Sequence, residues 1–315
     1  MYKQKKVGIV IPAYNEENLL PRVIETLPEF VDRIIIVDDH STDKTGRIIE
    51  EYQKHDVFKH KIVSIRHEKN QGVGGAIATG YKYALKEQID VTVVMAGDAQ
   101  MDPADLEKII DPVVTGQVDY AKGNRLFTGE AWDIIPKHRY LGNAFLSLLT
   151  KIASGYWHLA DSQSGYTAIS LHALKSINID RIYKRYGMPN DLLVKLNLQD
   201  IKVKDIPITP VYNIGEKSGI KIGRIVFSLS FLLFKLFWWR LFHKYVIKDF
   251  HPLIFFYLMS FTLLPSGILL GIIIIAVKGY ISITWLILSA ILIISGMQSL
   301  FFAMWFDMDY NKELI

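Results

Sequence analysis

The chain has 315 residues, half of them hydrophobic, with 36 Lys and Arg against 32 Asp and Glu and no cysteine at all. It is too apolar for a disordered or highly charged binder, and it can hold no disulfide framework, thiolate zinc site or cysteine nucleophile. The excess charge is local: residues 1–216 carry 27 basic and 28 acidic side chains, so the broad basic face of a nucleic-acid binder is excluded, whereas residues 217–248 carry seven basic and none acidic.

The first residues, Met1 to Lys6, lead straight into a strand rather than into the apolar stretch of a signal peptide, so no cleaved secretion signal is expected. From Val7 to Gly123 the sequence alternates short β-rich runs (VGIVI, RIIIV, KIVSI, VTVVM, DYAKG) with helical stretches such as Glu17 to Leu27 and Thr42 to Lys54. Continuous apolar strands separated by helices predict a mostly parallel α/β sheet covered on both faces. Functional groups of such sheets gather at the carboxyl ends of the strands.

Four loops at those ends carry polar groups. After the first strand comes Pro12-Ala13-Tyr14-Asn15-Glu16-Glu17, and after the second Asp38-Asp39-His40-Ser41-Thr42-Asp43. Helix capping explains Ser41, Thr42 or Asp43 but not two consecutive carboxylates; such a pair suits the hydroxyls or amide hydrogens of a nucleotide. The third loop, Asn70-Gln71-Gly72-Val73-Gly74-Gly75-Ala76, has neither dinucleotide-fold nor P-loop spacing. Its glycines either let a helix N-terminus approach a diphosphate or allow close helix-to-sheet packing, and the sequence does not separate the two. The fourth loop offers Asp98 and Gln100, hard oxygen ligands suited to Mg²⁺ or Mn²⁺, while Asp102 before Pro103 reads as a helix cap. No histidine pair has a metal-binding spacing; His67, His138 and His158 are expected at the surface or in packing.

Residues 217–250 predict one or two basic interfacial helices, with Trp238 and Trp239 at headgroup level and Arg240, Lys244 and Lys248 on a different side from Lys217, Lys221, Arg224 and Lys235. Leu253 to Val277 and Gly279 to Phe306 are uncharged and long enough to cross a bilayer, which predicts a transmembrane hairpin over 251–278 and 279–306, turning at Lys278-Gly279-Tyr280 and kinked at Pro265 and Gly267. The basic belt before the first span puts the α/β domain (1–216) and the tail (307–315) on the cytoplasmic side, in a prokaryote at the plasma membrane.

Taken together, IPAYNEE, IIVDDHSTDKT, NQGVGGAIATGY and GDAQMDP, in this order, resemble family 2 glycosyltransferases of the Rossmann-like GT-A fold, and within them the polyprenyl-phosphate (dolichyl or undecaprenyl) glycosyltransferases. AKGNR, Arg139 with Asn143, and DSQSGYTA extend the likeness. The resemblance implies inverting transfer of a hexose or related sugar from a UDP- or GDP-sugar to a polyprenyl phosphate. It implies donor binding by Pro12, Ala13, Tyr14, Glu16, Asp38, Asp39 and Gly75, and metal and diphosphate binding by Asp98 and Gln100, with Asp98 and Asp161 as the catalytic carboxylates. Arg125, Arg139, Asn143, Lys217, Ser218 and Lys221 would hold the acceptor phosphate, and Asp161 would orient the acceptor or act as a weak base. The family's Asp-x-Asp-x-Gln pattern has Ala96 in its first position here, one carboxylate fewer. Rival readings are a processive polysaccharide synthase, against which the missing Gln-x-x-Arg-Trp string speaks, and a non-catalytic nucleotide-sugar-binding scaffold. A homo-oligomer is left open.

Overall fold

The computed structural model describes residues 1–126, 137–209, 211, 222–280 and 282–315. They form two compact units: residues 1–236 with 314–315, and residues 237–313.

The first unit is built on a seven-stranded sheet in the order β3-β2-β1-β4-β6-β5-β7. The strands are β1 (Val7–Ala13), β2 (Arg33–Asp38), β3 (Ile62–Arg66), β4 (Val91–Val94), β5 (Tyr120–Asn124), β6 (Thr167–Ser170) and β7 (Val203–Pro207). All run the same way except β6, which lies antiparallel between β4 and β5. Consecutive residues of one strand feed opposite cores. Val7, Ile9 and Ile11 face one side with Leu20, Val23, Leu106 and Ile109, whereas Val10 faces the other with Ala76, Ile77 and Tyr81. Burial on both faces is the reason the central strands read as unbroken apolar runs. The five strands expected from the sequence runs above are present; β6 and β7 complete the sheet.

Helices α1 (Leu20–Glu25), α2 (Thr45–Lys54), α3 (Val73–Lys86), α4 (Leu106–Val114), α5 (Lys137–Ser154), α6 (Leu171–Ser176) and α7 (Met188–Leu198) surround the sheet. At Gly80 of α3 a Cβ would lie 2.3 Å from Val10, so glycine there lets the helix rest on β1. Helix α8 (Ile222–Phe242) carries the chain into the second unit and continues as a π-helical turn, His243–Lys248.

The second unit is a hairpin of α9 (Leu253–Lys278) and α10 (Ile283–Tyr310). Gly279, at φ 72°, ends α9 in the left-handed conformation glycine tolerates. The two helices approach closely at glycines: a Cβ on Gly296 would meet the Leu264 backbone N at 2.7 Å, and Ser289 Oγ donates to the Gly267 carbonyl at 2.7 Å. Both are long and apolar enough to cross a membrane, and most of their side chains are exposed, unlike those of soluble core helices. The second helix starts later than the sequence suggested and runs on through Asp307 and Asp309, because no breaker precedes Asn311.

Candidate active site

Because β5 runs with β1 to β4, and β6 enters from the opposite end, six loops converge on one sheet edge. The first two are tied together. Ser41 Oγ accepts from the Asn15 amide at 3.0 Å, Thr45 Oγ1 from the Glu16 amide at 2.8 Å, and Asn15 Oδ1 from the Thr42 amide at 2.8 Å. Asn15, His40 and Ala99, one in each of the loops after β1, β2 and β4, have φ of 57°, 66° and 56°. For alanine that conformation costs about 1–2 kcal/mol, strain of the kind that collects at functional sites. Tyr14 is left 48 % exposed beside this framework, its ring available for stacking.

Asp38 and Asp39, expected on the nucleotide, are buried and bonded to the protein. Asp38 Oδ1 accepts from the Ser41 amide at 2.8 Å, and Arg66 Nε stands 3.5 Å from Oδ2. Asp39 accepts from the Gln71 and Gly72 amides at 2.8 and 2.7 Å and from His67 Nδ1 at 2.7 Å, fixing the glycine-rich loop. His67 and His158 are packing residues, as expected; the side chain of His138 lies outside the described residues.

The glycines of that loop serve packing. The Gly75 amide donates to the Lys184 carbonyl at 3.2 Å, and a Cβ on Gly74 would lie 2.1 Å from the Tyr183 carbonyl oxygen. The 183–185 segment therefore covers the N-terminus of α3. Asp191, at the start of α7, accepts from the Tyr183 amide at 2.8 Å and so holds the covering segment in place.

At the end of β4, Asp98 Oδ1 accepts from the Gln100 amide at 3.1 Å, and Asp102 caps the following turn through the Ala104 amide at 2.9 Å, as expected. The Glu16 side chain lies against Gly97, whose Cβ would sit 3.4 Å from Glu16 Cγ. Burial, then the charges of Asp98 and Asp43, push the Glu16 carboxyl up to about 7. Two carboxylates crowded in this way favour a divalent cation. Among the described residues no three His, Cys, Asp or Glu side chains converge on one point, so a Mg²⁺ or Mn²⁺ ion held here would need ligand oxygens and water to complete its shell.

At the end of β5 lies a buried charge cluster. Asp161 is fully buried; it accepts from Arg125 Nε at 2.8 Å and Nη2 at 3.2 Å and from the Arg125 amide at 3.1 Å. Burial alone would raise its carboxyl, but the charge and hydrogen bonds of Arg125, with Lys122 behind, hold it at about 2. Asp161 thus stays ionised and is a poor proton acceptor. Arg125, expected on the acceptor phosphate, has one edge of its guanidinium committed to Asp161. Lys122 is fully buried, donates to the Ser164 carbonyl at 2.6 Å, and burial lowers it to about 8 despite Asp161 and Asp205. Asp205, whose carboxyl burial raises, accepts from Asn124 Nδ2 at 3.0 Å and the Ala160 amide at 2.6 Å.

Residues 8–177 match glycosyl transferase family 2. The chain belongs to this family. It is 32% identical over 242 residues to the UDP-N-acetylglucosamine–dolichyl-phosphate N-acetylglucosaminyltransferase of Methanococcus voltae, covering 73% of this chain and 96% of that protein. It is 29% identical to the undecaprenyl-phosphate mannosyltransferase of Micrococcus luteus, over 71% of this chain and 93% of the relative. Among solved structures, glucosyl-3-phosphoglycerate synthase from Mycobacterium tuberculosis, determined with Mn²⁺, UDP and glucosyl-3-phosphoglycerate, superposes with a TM-score of 0.53 at 18% identity, over 75% of this chain and 80% of that one, a likeness of fold.

The expected GT-A-type α/β fold of this glycosyltransferase is therefore present. Of its predicted acceptor residues, Asn143 is half-buried on α5, while Lys217, Ser218, Lys221 and the side chain of Arg139 lie outside the described residues. The basic belt is corrected in part. Arg240 and Lys244 do not face headgroups; both are fully buried in the second unit. Arg240 makes a two-pronged pair with Asp307, at 2.8 and 2.9 Å, and Lys244 donates to Asn311 Oδ1 at 2.9 Å. Their partners had been read as a free tail. Lys122 and Asp205 were not read from the sequence as site residues, and a lysine flanked by apolar and small residues in AKGNR was the one signal of them.

Proposed function

We propose that this enzyme moves a hexose or related sugar from a UDP- or GDP-sugar to a membrane-held polyprenyl phosphate, inverting the anomeric centre in a single displacement. The gathering of ionisable groups along one sheet edge carries this reading: the carboxylates Glu16 and Asp98 stand at the β1 and β4 ends, and Arg125, held by Asp161, at the β5 end. The relatives that act on dolichyl and undecaprenyl phosphate support the acceptor class.

In this scheme Tyr14 stacks on the base and the Pro12–Ala13 backbone borders the nucleotide, while Asp38 and Asp39 act through the loops they hold. Asp98, with Glu16 and Gln100, would hold a Mg²⁺ or Mn²⁺ ion, which when bound neutralises charge on the departing diphosphate. A phosphate monoester has its second pKa near 6 and is largely dianionic at neutral pH, so its oxygen needs no strong base to attack. An Asp161 held at about 2 suits that chemistry, because its task is to fix Arg125 against the incoming phosphate. Arg139, Asn143, Lys217, Ser218 and Lys221 complete the acceptor side. The hairpin spans the bilayer with the catalytic unit on the cytoplasmic face.

The test supplies the full-length protein in lipid nanodiscs with Mn²⁺ or Mg²⁺, a short polyprenyl phosphate and, in turn, labelled UDP-glucose, UDP-N-acetylglucosamine and GDP-mannose. One donor is expected to label the lipid with a single sugar. No labelling with any donor overturns the proposal, and long polymer without lipid-linked monosaccharide replaces it with a synthase.

A further inference from the structure

Helix α5 is built inside out for a helix in water. Among its described side chains, those it buries are small or hydroxylic, Ser147, Thr150, Ala153 and Ser154, with Leu146 the one larger exception. Their hydroxyls are taken up internally, Ser147 Oγ accepting from the Ser162 amide at 3.1 Å and Thr150 Oγ1 lying 3.2 Å from Asn190 Oδ1. The opposite face carries Leu141, Phe145 and Leu148, which are 60 %, 50 % and 52 % exposed and spaced i, i+4, i+7 along one stripe. A soluble domain arranges these residue types the other way round.

The charge on the same helix says which apolar medium fits. Its 18 residues include Lys137, Arg139 and Lys151 and no acidic side chain. An apolar stripe on a helix whose only charges are positive is the composition of a helix lying in the surface of an anionic bilayer. The same chain carries two helices of membrane-crossing length, so the catalytic unit is never far from lipid.

We propose that α5 lies in the membrane interface, with Leu141, Phe145 and Leu148 in the hydrocarbon edge of an anionic bilayer and its basic residues at headgroup level. The catalytic unit thereby has a lipid-binding surface of its own, independent of the hairpin. Read with the function proposed above, on which this part rests, the stripe places the helix that carries Asn143 and Arg139 at the depth where a lipid phosphate meets water.

The absence of cysteine makes the test direct. Phe145→Cys, Leu148→Cys and, as an aqueous control on α2, Glu50→Cys are each labelled with the environment-sensitive fluorophore NBD. The full-length proteins are reconstituted into phosphatidylcholine–phosphatidylglycerol vesicles with or without doxyl-labelled lipid. Expected is a blue-shifted emission at 145 and 148, quenched at least about twofold by doxyl lipid and shielded from aqueous iodide, with the reverse at 50. Probes at 145 and 148 that stay open to iodide and untouched by doxyl lipid overturn the proposal. So does shielding without doxyl quenching, which would assign the stripe to a second copy of the chain. The half-exposed positions tolerate the label; Leu141→Cys replaces either variant whose melting temperature falls below the wild type. The readout needs no turnover, so it stands if the transferase assay fails. If both hold, Phe145→Ser raises KM for bilayer-embedded polyprenyl phosphate and leaves the donor KM unchanged.

Discussion

The pair between Arg240 and Asp307 offers a sharp test of how the basic belt is used. Asp307→Asn keeps the side-chain shape and removes the charge, which leaves a fully buried guanidinium without its counter-ion. Only one of the two hydrogen bonds of 2.8 and 2.9 Å can persist, because one accepting oxygen becomes an NH2 donor facing the guanidinium, and Tyr245, which also donates to Asp307, loses its ionised acceptor. Breaking one side of a buried pair costs roughly 3–5 kcal/mol, whereas replacing both partners by apolar residues of similar volume is near neutral. Asp307→Asn and Arg240→Met are therefore each expected to lose about 3–5 kcal/mol, and the double variant Arg240→Met with Asp307→Leu to recover most of it. Denaturant unfolding in detergent micelles, followed by fluorescence of Trp238, Trp239 and Trp305, gives the three values. If Arg240 instead faced headgroups, each single change would cost no more than about 1 kcal/mol and the coupling would fall below about 0.5 kcal/mol, and that result would refute the inward pair.

Glu16, raised to about 7 from an ordinary 4.5, contributes stability that is complete below the lower value and lost as pH rises through the upper one. The metal-free protein should weaken between about pH 5 and 8 by roughly 1–2 kcal/mol after allowance for solvent screening, and Glu16→Gln should abolish that slope in melting curves; equal slopes would remove the carboxylate crowding. The same protons compete with metal, so Mn²⁺ should raise the melting temperature more at pH 8 than at pH 6 in the wild type, and by the same amount at both in the variant. Lys122, lowered to about 8, loses its charge above that pH, which predicts an alkaline fall in kcat near 8. Lys122→Met should cost about tenfold in kcat, some 1.4 kcal/mol, and lack that fall; a variant that retains both rate and profile would dismiss the cluster. Gly74→Ala drives a Cβ against the Tyr183 carbonyl and the Lys184 carbonyl carbon, at 2.1 and 2.9 Å, and should destabilise by about 1–3 kcal/mol in the same unfolding assay, an unchanged midpoint being the contrary result.

The sheet was legible where local pattern decides it. Strands β1, β2 and β4 are apolar on both faces and stand out in any reading. Strand β6 was not legible: Thr167–Ser170 is four residues long, follows a Ser- and Gly-containing segment, and becomes a strand only by pairing with β4 and β5, far away in sequence. Lys122 escaped for a related reason, since the groups that surround it, Asp161, Ser164 and Asp205, are brought there by the fold. Arg240 and Lys244 were misdirected because their partners Asp307 and Asn311 lie past the apolar stretch of the second long helix. The glycine-rich loop had two readings of equal standing, and only the position of the 183–185 backbone separated them.

The antiparallel strand has a consequence for the order in which the protein assembles. The pairs β1–β2 and β2–β3 join segments that leave a ribosome in close succession, and the loops with Tyr14 and Glu16 are built on them. The pairing of β4 with β6 must wait until Thr167 is made, and that of β5 with β7 until Val203. Contacts of long sequence separation form late. The side with Tyr14 and Glu16 should therefore be complete on a nascent chain before the Arg125–Asp161 side exists, and a pulse of hydrogen exchange during refolding should protect Ile9 and Ile35 amides ahead of those of Ala168 and Ala121.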